Sequence, residues 1–459
     1  MISTADSTPP RRTEAAKLLR LAGPLIIGQL AGVLMTFVDT VMAGRLSAEA
    51  LASVAAGAAV WHTIMLAGMG VLLAVSPSVA HLDGAGKHHE IGPIVRQAIW
   101  IAAGLSVLTL FVCLGAAPLL RALEVEPSLH PTILGYLRAL LWGAPAMYAF
   151  LALRFLCEGM GNSRPVMYFG FIGLGVNVIA NYGLIYGHWG LPALGAVGCG
   201  YATSAVWCTE LLGLVIYVHR HPKLGSLGIF DDFEWPRAEP LRELLRLGLP
   251  IGFSFFVEVS MFAGVALLMG SISTVAVAGH QIAINVASIT FMVPLGFALA
   301  TTVRVGNALG RGDLEGARRS GWIGIQLALA VQVLAATVLV TFPRAIAAIY
   351  SLDEGVIAVA AKLLLLAAIF QLSDGLQVSA AGALRGIKDT RGPMIVTVVA
   401  YWLIGLPFGY WLCFHRGLGP QGLWIGIIGG LTVAGVLLAA RFRHLTHLKC
   451  RSTRPRFAA

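Results

Sequence analysis

The chain has 459 residues, of which 57% are hydrophobic and only 12% charged, and its mean hydropathy is +0.81. Soluble domains carry about 25% charged residues, so a string of soluble domains is excluded and a polytopic membrane protein remains. The 32 Lys and Arg against 22 Asp and Glu leave a net charge of +10, yet the basic residues lie between apolar runs rather than clustered with aromatics, which removes the nucleic-acid reading.

Residues 1–16 are polar and read as a disordered tail, and the first apolar run is too long for the h-region of a cleavable signal peptide. Twelve spans follow, at 18–43, 51–80, 94–118, 131–156, 165–187, 192–218, 246–270, 276–303, 320–342, 356–384, 393–414 and 421–440. Apolar runs above 18 residues are long enough to cross a bilayer as helices. Backbone groups in lipid must be satisfied within their own segment, so the reading is all-α. Continuous runs do not fit the short alternating segments of a β-barrel. The expected organisation is a tail at 1–17, a six-helix lobe at 18–218, a linker at 219–245, a second six-helix lobe at 246–440 and a basic tail at 441–459. The six cysteines (113, 157, 199, 208, 413 and 450) show no CxxC pair, and reduced, mostly buried thiols are expected.

The cations orient this bundle. With an even number of spans both termini lie on one side, and that side collects 26 of the 32 Lys and Arg, counted generously at span ends. The positive-inside rule then puts both termini in the cytoplasm, in the inner membrane of a bacterial cell.

The two halves repeat at an offset of 226–227 residues. Leu21-Ala-Gly-Pro24 matches Leu247-Gly-Leu-Pro250, Gly44 falls on Gly270, and Gly84 and Gly86 fall on Gly310 and Gly312. GNSRPVM (161–167) resembles KDTRGPM (388–394), and GLPALGAVG (190–198) resembles GLGPQGLWIG (417–426). Six spans per repeat give both lobes the same orientation, related by a pseudo-two-fold axis along the membrane normal. Repeats of this kind place a substrate site at the lobe interface and gain alternating access by rocking.

Three acids stand out inside the spans. Glu258 is the single charge in Leu247–Gly270, Asp374 lies inside the run Val356–Ala383, and Asp39 lies near the end of the first span. A carboxylate at mid-membrane costs roughly 2.5–3.5 kcal/mol on insertion scales, so it should face a bundle interior or a wet cavity and do work there. Removal from water favours the neutral carboxyl, so a proton can ride on Glu258 or Asp374. Two ionised acids with neutral oxygens can instead hold Na+, a hard cation that prefers oxygen ligands. Gln281 in span eight and Asn177 and Asn181 in span five can supply neutral groups. Phe253, Phe255, Phe256 and Phe370 offer aromatic faces to a positively charged substrate.

At these residues a family resemblance emerges. The chain resembles the NorM branch of the multidrug and toxic compound extrusion (MATE) family over roughly residues 15–440. The matching stretches are FVDTVMAGRLSAEALASVA (37–55), VSPSVAHLDGAGK (75–87), EGMGNSRPVM (158–167), FFVEVSMF (255–262), AGHQIAINV (278–286), RVGNALGRGD (304–313) and QLSDGLQVSAAGALRGIKDTRGPM (371–394). The resemblance implies export of cationic amphiphiles coupled to H+ or Na+, with Asp39, Glu258 and Asp374 on the family's functional acids. No cofactor beyond that ion is expected, and the expected partners are small organic cations and the bilayer, with no nucleic acid and a monomeric protein. One departure matters: where similar proteins can carry a tyrosine one turn before the tenth-span aspartate, this chain has Phe370, which removes an oxygen from a possible Na+ site at Glu258 and Asp374.

Blander roles stand beside these. Each acid can be a structural hydrogen-bond acceptor between helices, and Asp39 can be merely interfacial. Asn177 and Asn181, at i and i+4 on one helical face, can bond between helices, as can Gln281. His62 and His280 can relay protons, though a packed, hydrogen-bonded histidine is the ordinary case. His88-His89-Glu90 reads as a solvated loop rather than a metal set, and Gly84-Ala-Gly86-Lys87 lacks the spacing of a phosphate loop. The phenylalanines of span seven can simply face lipid. Pro24, Pro250, Pro294 and Pro407 can hinge their helices or only kink them. Two other function classes share the composition: a flippase for lipid-linked saccharides or other lipids, whose cavity should be lined with Arg or Lys, and a channel or membrane scaffold. Nothing in the chain supports an enzyme.

Overall fold

The computed structural model describes residues 11–122 and 125–452; they are almost entirely helical, and no strand occurs among them. Residues 1–10 of the expected polar tail and 453–459 of the basic tail lie outside the described residues. Among the described residues twelve helices are long and apolar enough to cross a membrane: α1 (Arg12–Leu46), α2 (Ala48–Gly84), α3 (His88–Leu114), α4 (Pro127–Gly159), α5 (Arg164–Tyr186), α6 (Ala196–Arg220), α7 (Ala238–Gly270), α8 (Thr274–Gly310), α9 (Leu314–Thr341), α10 (Glu354–Gly386), α11 (Arg391–His415) and α12 (Pro420–Leu448).

Most helices outrun the apolar runs that announce them, because capping side chains rather than hydropathy set their ends. Ser47 accepts the Ala50 amide at 3.0 Å and Ser273 accepts the Ala276 amide at 3.1 Å. Asp313 caps α9 through the Gly316 amide at 2.7 Å, and Asp353 caps α10 through the Gly355 amide at 2.7 Å. Each such cap satisfies a backbone donor the first helical turn leaves bare.

The repeat is written into the backbone as well as the sequence. The two serine caps are 226 residues apart, and so are Gly86 and Gly312, whose φ angles are +71° and +77°. Gly161 (φ +72°) is matched 227 residues on by Lys388 (φ +61°), a side chain held in the left-handed region that glycine ordinarily fills.

The described chain divides into two compact units. One comprises Ile27–Leu82 and Lys87–Gly252; the other comprises Met1–Ile26, Asp83–Gly86 and Phe253–Ala459. The expected lobes follow chain order, whereas these units exchange the opening portions of α1 and α7. The breaks come two residues after Pro24 and Pro250, prolines inside their helices, where a backbone hydrogen bond is necessarily missing.

In the N-terminal unit α4 is the most buried helix and packs against α2, α3, α5 and α6. Small residues let the backbones close. Ser204 donates to the Ala139 carbonyl at 2.7 Å, and a Cβ on Gly143 would lie 2.7 Å from Ser204. Within bundles in lipid, such close approach supplies van der Waals contact in place of a hydrophobic drive.

In the C-terminal unit α10 takes the central place against α8, α9 and α12. Thr302 donates to the Gly382 carbonyl at 2.8 Å, and Trp424 and Phe442 are wholly buried. Helix α11 is wound as π-helix over Val399–Gly405 and Trp411–His415, on either side of Leu406–Tyr410 with its Pro407. Inserted residues of this kind widen the helix locally. Gly405 and Gly409 meet Gly426 and Gly430 of α12 across a backbone-to-backbone contact.

Candidate functional site

In each unit one polar cluster gathers the acids that stand out in the sequence. In the N-terminal unit Asp39 of α1 is half-buried, and its Oδ1 accepts from Asn177 Nδ2 at 2.9 Å and Asn181 Nδ2 at 2.6 Å, both on α5. The i, i+4 spacing puts both amides on the face of α5 that meets α1, and the Tyr186 hydroxyl donates to the Met42 carbonyl at 2.8 Å one turn further on. The asparagines are 1% and 0% exposed, and neither Oδ1 has a hydrogen-bond partner. Cys199, wholly buried on α6, lies within electrostatic range of Asp39 and completes the cluster. Of the three sequence-predicted residues here all converge; Cys199 reads as an inert thiol from the sequence because it has no CxxC partner and its approach to Asp39 comes only from tertiary packing.

The C-terminal cluster is built around α10. Asp374 is 4% exposed, and it lies within electrostatic range of Glu258 on α7. Glu258 is half-buried and makes no ion pair with a described residue. The Trp402 indole of α11 donates to the Val257 carbonyl at 3.4 Å, holding α11 against the turn that carries Glu258. Two groups the sequence reading did not single out complete this site. Tyr401, wholly buried in the first π segment of α11, is within electrostatic range of both acids, and its hydroxyl has no partner. Arg385, 4% exposed on α10, is within range of Glu258, and its Nε and Nη2 are unpartnered. Tyr401 was hidden inside an apolar run, and Arg385 was counted with the cations at a span end.

The polar character extends along α10 and its neighbours. Gln371 donates to Thr290, Gln332 donates to the Gln371 carbonyl at 3.1 Å, and Ser373 shares a 2.7 Å hydrogen bond with Thr432. The Oε1 atoms of Gln332, Gln371 and Gln377 and the Ser379 hydroxyl are buried without protein partners. Native interiors rarely leave such atoms unpaired unless water or an ion serves them.

The other expected residues fall elsewhere. Gln281 is exposed and joins neither acid. Phe370 is 4% exposed, edge-on to Trp424 at 5.7 Å and Phe262 at 6.2 Å, so its ring fills the core rather than an open wall. Phe253 and Phe256 are exposed and stack at 6.5 Å. His280 accepts the Trp424 indole N–H at 3.2 Å and is packed, while His62 is exposed. Glu90 of the His88-His89-Glu90 run bonds to Lys87 at 2.9 Å, and no group of three metal-ligating side chains occurs among the described residues. Cys113, Cys157 and Cys413 are buried and free like Cys199, Cys208 is exposed and free, and the side chain of Cys450 lies outside the described residues.

Twelve membrane-length helices among the described residues, in two units that each hold an acid among neutral polar side chains, define a polytopic membrane protein of the kind that moves solutes. The MatE family model matches residues 24–183 and 250–411. The chain is 44% identical over 437 residues to the multidrug resistance protein MdtK of Edwardsiella ictaluri (strain 93-146), covering 94% of this chain and 96% of that one. The chain belongs to the MatE family, that of the multidrug and toxic compound extrusion proteins. Solved structures share the fold. A eukaryotic MATE transporter, AtDTX14, superposes with a TM-score of 0.86 at 18% identity over 97% of this chain and all of that one. A MATE protein in complex with MaD3S gives 0.87 at 21% identity over 95% and 97% of the two chains. A transporter of the wider MOP superfamily from Pyrococcus furiosus gives 0.85 at 21%, again over 95% and 97%.

Proposed function

We propose that the chain is a secondary transporter that exports cationic amphiphiles in exchange for inward H+ or Na+, alternating between outward- and inward-facing states. The observation that carries this reading is the placing of Asp374 in a buried polar interior within range of Glu258, the Tyr401 hydroxyl and several unpartnered oxygens. A proton can neutralise one acid there. Alternatively both carboxylates with the Tyr401 oxygen can hold a sodium ion, the hydroxyl taking the place that Phe370 leaves without oxygen. The Asp39–Asn177–Asn181 cluster gives the N-terminal unit a second proton or drug site. The 44% identical MdtK is named a multidrug resistance protein, which supports the drug reading. Entry of one monovalent cation gains about 2.3 kcal/mol per 100 mV, roughly fifty-fold in a concentration ratio. The cation census supports placing both termini in the cytoplasm of a bacterial inner membrane, with the protein acting as a monomer.

A second reading draws on Arg385. A buried guanidinium with two unpartnered nitrogens suits an anionic substrate, as lipid or lipid-linked saccharide export would require. The acids around it favour cations. Drug susceptibility of cells expressing Glu258→Gln or Asp374→Asn separates the two: loss of resistance with normal membrane levels is expected, and undiminished resistance in both variants would end the coupling role.

A further inference from the structure

At one end of the C-terminal unit, two helix faces carry a groove that the transport reading does not use. On α9, Glu315, Arg318, Arg319, Trp322, Ile323 and Gln326 recur at helical spacing and line a cavity of about 570 Å³ together with Arg443 of α12. Trp322 and Arg443 also line an adjoining cavity of about 500 Å³, walled by Ala439, Ala440, His444 and His447 on the same face of α12. The floor is firm: Phe442 is wholly buried, its ring lies edge-on to Trp322 at 6.2 Å, and Gly321 leaves the space that this ring occupies.

The groove holds more positive than negative charge: its carboxylate, Glu315, reaches Arg318 only at 3.8 Å. Arg441, two positions before Arg443, is engaged by Asp389 at 2.6 Å, whereas Arg443 makes no ion pair with a described residue. Helical geometry separates them, since residues two apart point to nearly opposite sides.

We infer that this groove binds the phosphodiester headgroup of an anionic phospholipid. Planar guanidinium groups match phosphate oxygens in pairs. The groove lies where two membrane-length helices end, beside a tryptophan, the residue that settles at the headgroup level, and its Ile323, Ala439 and Ala440 walls suit the glycerol and first methylenes. A free phosphate would gain nothing from that apolar rim. Basic pockets between membrane helices hold anionic headgroups in this way, whichever side of the membrane the groove faces.

Native mass spectrometry of the full-length protein, with phosphatidylglycerol and phosphatidylcholine supplied in equal amounts, tests the assignment. The wild type is expected to retain phosphatidylglycerol at least tenfold over phosphatidylcholine, and Arg318→Gln with Arg443→Gln to bring the two near parity. Arg318→Lys with Arg443→Lys should keep most of the preference, and Arg242→Gln, an exposed cation in the other unit, should keep all of it. Equal retention of both lipids by the wild type, or an undiminished preference in the double glutamine variant, would overturn the inference. Displacement of the bound lipid by millimolar glycerol phosphate would overturn the lipid assignment in favour of a free phosphate site. Should the glutamine pair fail to fold, the same comparison is read from Arg443→Gln alone.

Discussion

Asp374 and Glu258 show how far single residues could be read from the chain. A carboxylate in the middle of an apolar run is conspicuous, because its insertion cost must be met by a polar surrounding. The surrounding itself was harder to see. Tyr401 and Arg385 reach the acids through tertiary packing, and neither spacing nor composition marks them. Phe370 was visible as an aromatic, but only the packing of Trp424 and Phe262 against it makes it core. Tyr401→Phe removes just the unpartnered hydroxyl. If that oxygen serves the coupling ion, the variant should need several-fold more sodium or a steeper proton gradient for half-maximal efflux, with thermal stability unchanged. Arg154 offers a different case. It lies near the end of the fourth expected span, where a cation reads as facing water, yet it bonds to Glu158 at 2.8 Å and Gln29 at 2.6 Å, and Glu158 is wholly buried. Arg154→Met should leave that carboxylate uncompensated, at a cost of about 3–5 kcal/mol, seen as a clear fall in unfolding temperature in detergent.

Among the elements, the number, order and type of the helices were legible, because twelve long apolar runs in lipid leave the backbone one solution. Their ends were not. Apolar runs stop where polar residues begin, whereas the helices continue to the serine and aspartate caps and run past charged turns. Ser273→Ala should destabilise by about 1 kcal/mol, and the repeat-related Ser47→Ala by a similar amount, both measurable by chemical unfolding in mild detergent. The π segments of α11 were equally hidden, since an inserted residue changes helical phase without changing composition. Where α11 meets α12, Gly426 faces the backbone of Gly409. Gly426→Val has nowhere to place its branch, and a loss of about 1–3 kcal/mol is expected from overpacking.

At the scale of the whole molecule, the 226–227-residue repeat was visible in glycines and prolines, and the structure returns it in caps and left-handed turns. The exchange of the opening portions of α1 and α7 between the compact units was not visible, because membership of a core depends on which side chains a helix meets after its proline. In the C-terminal unit the start of α1 is fixed by Glu14, which takes a two-pronged bond from Arg304 at 2.8 Å and a third from Ser320 at 2.7 Å. If the cation census orients the bundle correctly, alkaline phosphatase fused after residue 459 should be inactive in cells, while a fluorescent protein fused there should glow.

Under the proposed function, acids in the helical interior couple cation entry to the departure of an organic cation. Ethidium movement in proteoliposomes, with sodium and proton gradients imposed one at a time, tests it most directly. One of the two gradients is expected to drive uphill ethidium transport by the wild type, and Asp374→Asn to lose that transport at least tenfold while incorporating equally well. Gradient-driven transport by Asp374→Asn at the wild-type rate, or no response of the wild type to either gradient, would contradict it.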